Sequence, residues 1–316
     1  MFVAAGESLI DLVVQPDGRY FPAPGGAPFN FACAMALQGV PTGYLNPLST
    51  DAFGRLLLAT LTRAGAVPLG PEVTAPTSLA VVNTDAQGVP SYGFYRTGIA
   101  DRAIDARQLE ARLPPDAIAL HTGGLALVPP DDTVIREVMR HMRAKGLPCT
   151  LDVNARPAVM ASLGIAPDAY RAAVLDTAAL ATVVKVSDED LMHLGLEGDV
   201  RESAATFLDR GSALVVLTLG ERGAVALGRG LAIEQPAARV DVVDSVGAGD
   251  CFFAGFLAHL LRHHAMASVI AGQATHDNVR PALHHATACA AINLQRQGCQ
   301  PATWDEAVAM AATLRV

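Results

Sequence analysis

The stretch "AIALHTGGLALVPPDDTVIREVMRHMRAKGLPCTLDVN", residues 117–154, decides the fold class. It opens with a strand-like run, 117–124, that ends in a Gly-Gly turn. Asp131 and Asp132 then start a segment in which Val134, Ile135, Val138, Met139 and Met142 fall on one helical stripe, and Gly146 ends it. "LPCTLDVN" (147–154) is again strand-like. Strand, helix and strand at this spacing make a right-handed βαβ unit with parallel strands. The alternation continues with "APDAYRAAVLDTAA" as helix, "TVVKVS" as strand and "DEDLMHLG" as a short helix. "ALVVLTLG" and "GAVALG" then flank the turn "GERG". The expectation is an α/β chain with a mostly parallel sheet and helices on both faces.

Two sections break the rhythm. Residues 7–24 and about 78–98, the latter containing the turn signal "DAQG", read as β-ribbon with no helix between strands. Such ribbon fits poorly inside a parallel sheet, so it is expected as a small β-lid over the sheet edge, discontinuous in sequence. Repeats, low-complexity runs and linkers are absent, and residues 1–316 read as one domain.

Composition narrows the function classes. The formal net charge is −8 and only two lysines occur, Lys145 and Lys185, which argues against nucleic acid or anionic lipid as a partner. Hydrophobic residues make up 51% of the chain, yet no apolar run reaches the ~18–20 residues of a membrane span. The start "MFVAAGESLIDL" has no basic segment of the kind that opens a secretory signal, and a cytoplasmic protein is expected. Five scattered cysteines without CxxC spacing read as reduced core residues.

In open parallel sheets the ligand crevice lies beyond the carboxyl ends of the strands. The residues there are Asp11, Gly123–Gly124, Asp152, Asn154, Arg156, Ser187–Asp190, Thr218–Gly220 and Asp244–Asp250, mostly small, acidic or suited to phosphate. "DSVGAGDCFFAGFL" (244–257) is the most pointed of them. A glycine-rich turn runs into an apolar helix whose first amides lack intrahelical partners and carry the positive end of the helix dipole. Gly247, Ala248 and Gly249 let an anion approach the backbone. Asp250, at or near the N-cap, can take a proton from a hydroxyl held beside those amides, which is what phosphoryl transfer to an alcohol requires. A plain N-cap is the alternative for Asp250. The chain has no GxxxxGK[ST] and no GxGxxG, which disfavours P-loop and dinucleotide-binding enzymes. A second glycine-rich segment, "PAPGGAPFNFACAMALQGV" (22–40), repeats the logic. Gly25 and Gly26 expose backbone amides, Asn30 follows one turn later, and Asp11 offers a carboxylate for sugar hydroxyls.

Both segments together resemble the signatures of the ribokinase (PfkB-type) family of carbohydrate kinases, and the resemblance covers essentially the whole chain. It implies a three-layer α/β/α sandwich with a small β-lid and transfer of the ATP γ-phosphate to a sugar hydroxyl. By resemblance Asp250 is the base and the Gly247–Gly249 amides form the anion hole. Asp11, Gly25, Gly26, Asn30 and Arg156 would bind substrate. Lys185, Ser187, Thr218, Gly220 and Gly223 would lie on the ATP side, together with Gly247 and Gly249. Magnesium accompanies ATP in this family, and a monovalent cation such as K+ near Asp244 is common. The family's Asn-x-x-Glu motif for magnesium is here Ser187-Asp-Glu-Asp190, so Asp190 becomes the candidate magnesium residue, with Glu189 competing. A homodimer through the lid is a further expectation.

The substrate is less sharply drawn. "GESLIDL", "GGAPFN" and "GAGD" are similar to bacterial fructokinases, which favours fructose. Arg96, in "YGFYRTG", offers a bidentate partner for a carboxylate, as a 2-keto-3-deoxygluconate kinase would need. A non-catalytic sugar or nucleotide binder of the same fold is the third reading. The C-terminal histidines lack a cysteine or carboxylate to complete a metal site and read as surface or nucleotide-pocket edges.

Overall fold

The computed structural model describes residues 1–15, 17–84, 90–196 and 198–314. Among them nine strands form one sheet. From edge to edge they are Leu231–Gln235, Ala224–Gly228, Leu214–Thr218, Val183–Ser187, Cys149–Asp152, Ala119–Gly123, Phe2–Ala4, Thr42–Tyr44 and Val67–Pro68. Every pairing is parallel except the two that join the strands after Leu214. The expected βαβ unit is present, with its helix at Asp131–Ala144. Asp131 and Asp132 sit in the helix's first turn, and Ile135, Val138, Met139 and Met142 are buried along one stripe.

Side chains alternate across the strands and so divide the core in two. Phe2, Ala4, Leu214 and Val216 pack toward helices Ala27–Leu37, Ala248–Arg262 and His276–Leu294. Val3, Val215 and Leu217 pack toward helices Asp131–Ala144, Pro167–Ala178 and Val200–Asp209. The result is a three-layer α/β/α sandwich. Helix Ala248–Arg262 is apolar from Cys251 to Ala258, a stretch packed in the core between helices Ala27–Leu37 and His276–Leu294.

The lid is a separate four-stranded sheet, ordered Tyr20–Gly25, Leu9–Val14, Ser78–Thr84, Pro90–Tyr95. Its two stretches are those singled out from the sequence; the turn "DAQG" at 85–88 lies outside the described residues. No helix among the described residues is long and apolar enough to cross a membrane.

The C-terminal histidines do not all lie at the surface. His259 stacks on His263 at 4.2 Å, and His285 lies 4.3 Å from the ring of Trp304. Arg262 covers that ring at 4.1 Å, and His285 shares a 2.7 Å hydrogen bond with Gln38. Helices 248–262 and 276–294 bring these rings together, which their sequence spacing alone does not reveal. Burial lowers the His285 pKa to about 3, with His259, His263, Arg262 and His284 adding to the effect. Burial lowers that of His259 to about 4, with His263 adding.

Both imidazoles are neutral in the folded chain and gain protons on unfolding below pH ~6.5. Their stabilising contribution is therefore complete above that pH and is lost as pH falls toward the folded values. For His285 the loss at pH 5 is about 2 kcal/mol. The destabilisation caused by His285→Gln is accordingly expected to be smaller at pH 5 than at pH 7.5 by that amount. Urea unfolding followed by Trp304, the sole tryptophan, measures it; equal penalties at the two pH values would refute the assignment.

Candidate active site

At the carboxyl ends of the parallel strands, the core face that packs against helix Ala248–Arg262 turns from apolar to polar. Asp152 and Lys185 are direct neighbours across two parallel strands. Lys185 Nζ donates to both Asp152 oxygens at 2.9 Å, and both side chains are buried. Burial works against the ammonium, but the Asp152 and Asp190 carboxylates outweigh it and hold the Lys185 pKa above its ordinary value. The ammonium lies beneath the glycine turn, 3.1 Å from where a Cβ on Gly249 would be.

That turn starts the helix with Gly247 in the left-handed region at φ 75° and no side-chain cap. Asp250 is therefore the third helical residue and not an N-cap. Ala248 donates back to the Ser245 carbonyl at 3.2 Å, so the orphan amides of the first turn are those of Gly249 and Asp250. The Asp250 carboxylate is buried and accepts a 2.9 Å hydrogen bond from Asn30 Nδ2. Burial pushes its pKa up to about 7, and the Asp152 charge adds to the push. The Asn30 hydrogen bond and the Lys185 and Arg156 charges pull back. A carboxyl group titrating near neutrality is suited to accept a proton.

Asn30 reaches Asp250 because helix Ala27–Leu37 also begins at this edge. Gly26, its N-cap, has φ 105°, and a Cβ there would lie 2.6 Å from the Glu7 carbonyl. Glu7 Oε1 accepts from the Ala27 amide at 3.2 Å. Gly25 is required for a different reason, since a Cβ on it would meet Asp11 Oδ2 at 2.5 Å. Burial raises the Asp11 pKa to about 6, while the Arg156 charge pulls it down. Arg156 itself is exposed and donates to the Ala155 carbonyl at 3.0 Å. Asn30 thus bonds Asp250, and the Arg156 charge acts on both Asp11 and Asp250, which makes these four side chains neighbours.

On the other side, Thr218 pairs with Ser187 across neighbouring strands, and a 3-10 turn at Gly220–Arg222 follows. Gly220 and Gly223 both have positive φ, and a Cβ on Gly223 would strike the Gln235 carbonyl at 2.1 Å. Arg222 bonds Asp188 at 2.7 Å and ties this turn to the next helix start.

The candidate metal residues are tied into the backbone. The Asp190 oxygens accept from the Ala155 and Ser187 amides at 2.7 and 2.8 Å, in a capping box with Ser187. The Asp244 oxygens likewise accept from the Val246 and Gly298 amides, at 3.0 and 2.8 Å, and so fix the glycine turn. The expectation for Arg96 needs correction. Arg96 is buried and committed within the chain, 3.6 Å from Asp101 and 3.7 Å from Asp131. It lines a cavity of about 60 Å³ with Glu7, Asn46 and Asp101 that excludes Asp11 and Asp250. Among the described residues no three His, Cys, Asp or Glu side chains form a metal-binding group. Asp152 joins the candidate residues through Lys185, a pairing that depends on strand register and that its strand-end position alone does not reveal.

A family model described as pfkB family carbohydrate kinase matches residues 3–306. A fructokinase of Rhizobium leguminosarum bv. trifolii is 36% identical over 266 residues, spanning 82% of this chain and 79% of that protein. Fructokinase-2 of Zea mays is 30% identical over 314 residues, spanning 96% and 90%. The crystal structure of a fructokinase from Xylella fastidiosa with bound ATP matches with a TM-score of 0.87 at 28% identity, covering 98% of both chains.

Gly247 provides a test of the turn. A Cβ there would lie 2.3 Å from Cys299 Sγ, on a backbone that L residues avoid. Gly247→Ala is expected to lower stability by about 1–3 kcal/mol. Adding Cys299→Gly should recover the contact part and leave the backbone part. Thermal melting of the three proteins reads this, and an unshifted Gly247→Ala would contradict the packing.

Proposed function

The chain belongs to the pfkB family of carbohydrate kinases, and on that premise we propose that it transfers the γ-phosphate of ATP to a hydroxyl of fructose. The observation that carries the mechanism is the Asp250 carboxylate, buried at a helix N-terminus and held by Asn30. Asn30 occupies Oδ2, which leaves Oδ1 to take the acceptor proton as the oxygen attacks phosphorus. The amides of Gly249 and Asp250, with that of Gly247, face the negative charge that develops on the transferred group. Lys185 beneath them supplies a fixed positive charge oriented by Asp152. Asp11, Gly25, Gly26 and Arg156 hold the sugar. Thr218, Ser187, Gly220 and Gly223 line the nucleotide side.

Fructose is favoured because the fructokinases of R. leguminosarum and Z. mays match over most of the chain. ATP is favoured by the ATP-bound fructokinase of similar architecture. The burial of Arg96 between internal carboxylates removes the feature that pointed to a sugar acid. Magnesium fits this site as an ion carried by the nucleotide phosphates and water, since Asp190 and Asp244 are bonded to backbone amides and Asp152 to Lys185. It would neutralise phosphate charge.

The lid's edge strands, Tyr20–Gly25 and Pro90–Tyr95, and the exposed Phe21 and Tyr95 support a homodimer formed lid to lid. Light scattering after gel filtration tests it, with a monomer mass refuting it. A reducing cytoplasm suits a chain whose five cysteines are all free.

Asp250→Asn is expected to lower kcat by at least ~10²–10⁴-fold with fructose and ATP affinities nearly unchanged. Retained turnover in an ADP-release assay would remove Asp250 from its role. Because the base works deprotonated, kcat/KM should rise with pH through about 7. Asn30→Ala, which removes a hydrogen bond to the charged form, should move that rise to higher pH. Arg96→Ala should not discriminate between fructose and 2-keto-3-deoxygluconate. A loss confined to the acid sugar would restore the sugar-acid reading.

A further inference from the structure

Cys251 follows Asp250 directly in the helix, and its Sγ lies 4.0 Å from that of Cys299. Cys299 comes from the segment after helix His276–Leu294, 48 residues further along the chain. It is the only one of the five cysteines that is not fully buried. Its sulfur rests against Gly247, so closely that a Cβ on the glycine would lie 2.3 Å away. The same segment fixes the glycine turn through three hydrogen bonds: Gly298 N to Asp244 Oδ2 at 2.8 Å, Gln300 N to Asn293 Oδ1 at 2.9 Å, and Asn293 Nδ2 to the Val246 carbonyl at 2.8 Å. Cys299, a residue at the edge of the core, the Cys251 thiol in contact with it and the glycine turn are therefore one packed unit.

We propose that Cys299 and Cys251 are a thiol-modification site for hydrogen peroxide, and that their oxidation to a disulfide disables the Gly247–Asp250 turn. In the first step the Cys299 sulfur attacks the peroxide O–O bond. An S–O bond forms, the O–O bond breaks, and the departing oxygen leaves as water with the thiol proton. In the second step the Cys251 sulfur attacks the sulfenic acid on Cys299; the S–S bond forms, the S–O bond breaks, and a second water carries off the Cys251 proton. Two thiols lose two electrons and two protons, and one peroxide becomes two waters.

Bonding requires the sulfurs to approach by about 2 Å. Movement of Cys299 toward Cys251 takes its sulfur off the face of Gly247 and loads the hydrogen bonds of its neighbours Gly298 and Gln300. A displacement near 1 Å at such a site suffices for large losses of rate. The hydrogen bond with Cys251 and burial hold the Cys299 thiol well above its ordinary pKa, with Cys251, Asp250 and Asp244 as the charged or titratable neighbours that add to the effect. Reaction is thus slow at neutral pH and quickens as pH rises.

The test treats the full-length reduced protein with hydrogen peroxide. Peptide mapping without reductant should yield a Cys251–Cys299 linked peptide lighter by two hydrogens than the sum of its parts. Phosphorylation of fructose should fall at least about tenfold and return with dithiothreitol. Cys299→Ser should yield no linked peptide and keep its activity through the same treatment. Cys251→Ser should oxidise at Cys299 without linking. Consumption of Cys299 without the linked peptide would overturn the proposal, as would linkage without loss of activity. Equal inactivation of Cys299→Ser would overturn it too. The wild-type peptide map needs neither variant to fold nor the substrate to be fructose, so its failure is distinguishable from failure of the kinase reading.

Discussion

Asp250 is a carboxylate kept from water, and the surrounding architecture follows from that constraint. Burial and the nearby Asp152 oppose its charge; Asn30, Lys185 and the helix N-terminus support it. The opposing set prevails, and the pKa is pushed up to about 7. The balance draws on separate parts of the fold. The sheet contributes Asp152 and Lys185 at adjacent strand ends. One helix contributes Asn30 in its first turn, and another contributes Asp250 itself. Removing an opposing group alone would shift the carboxyl toward its charged form, and removing a supporting group alone would shift it toward its neutral form.

The strand-end rule explains why so much of this was legible in the sequence. "DSVGAGDCFFAGFL" and "GGAPFN" carry their chemistry locally: the glycines, the acid and the apolar run that anchors them are contiguous. The lid was also legible, since ribbon patterning at 7–24 and 78–98 departs from the βα rhythm. What escaped depends on contacts between distant segments. Lys185 and Asp152 meet only through strand register, and His285 reaches Trp304 only through the packing of the last helices. Asp190 and Asp244 are acids at suggestive positions, but local backbone amides claim their oxygens. No pattern of residue types separates a capping acid from a ligand.

Arg96 shows the same limit from the opposite direction. It follows the last lid strand, and Glu7 precedes the first, so both attachments of the lid meet at one buried cavity. Glu7 Oε2 and both Asp101 oxygens have no hydrogen-bond partner there, and burial pushes the Asp101 pKa up to about 7 against the pull of Arg96. Polar groups left in this state cost stability. The cavity, large enough for a few water molecules, lies where the lid joins the sandwich.

The hydrogen bond between Asn30 and Asp250 spans 220 residues of chain. Asn30 and the glycines before it leave the ribosome early, while Asp250 comes from a helix that begins at Ala248 and packs on the later helix His276–Leu294. The contact that tunes this carboxyl is thus among the last that a growing chain can make. Contacts of such long separation form slowly, and a chain truncated before residue 248 carries Asn30 without the carboxylate it bonds.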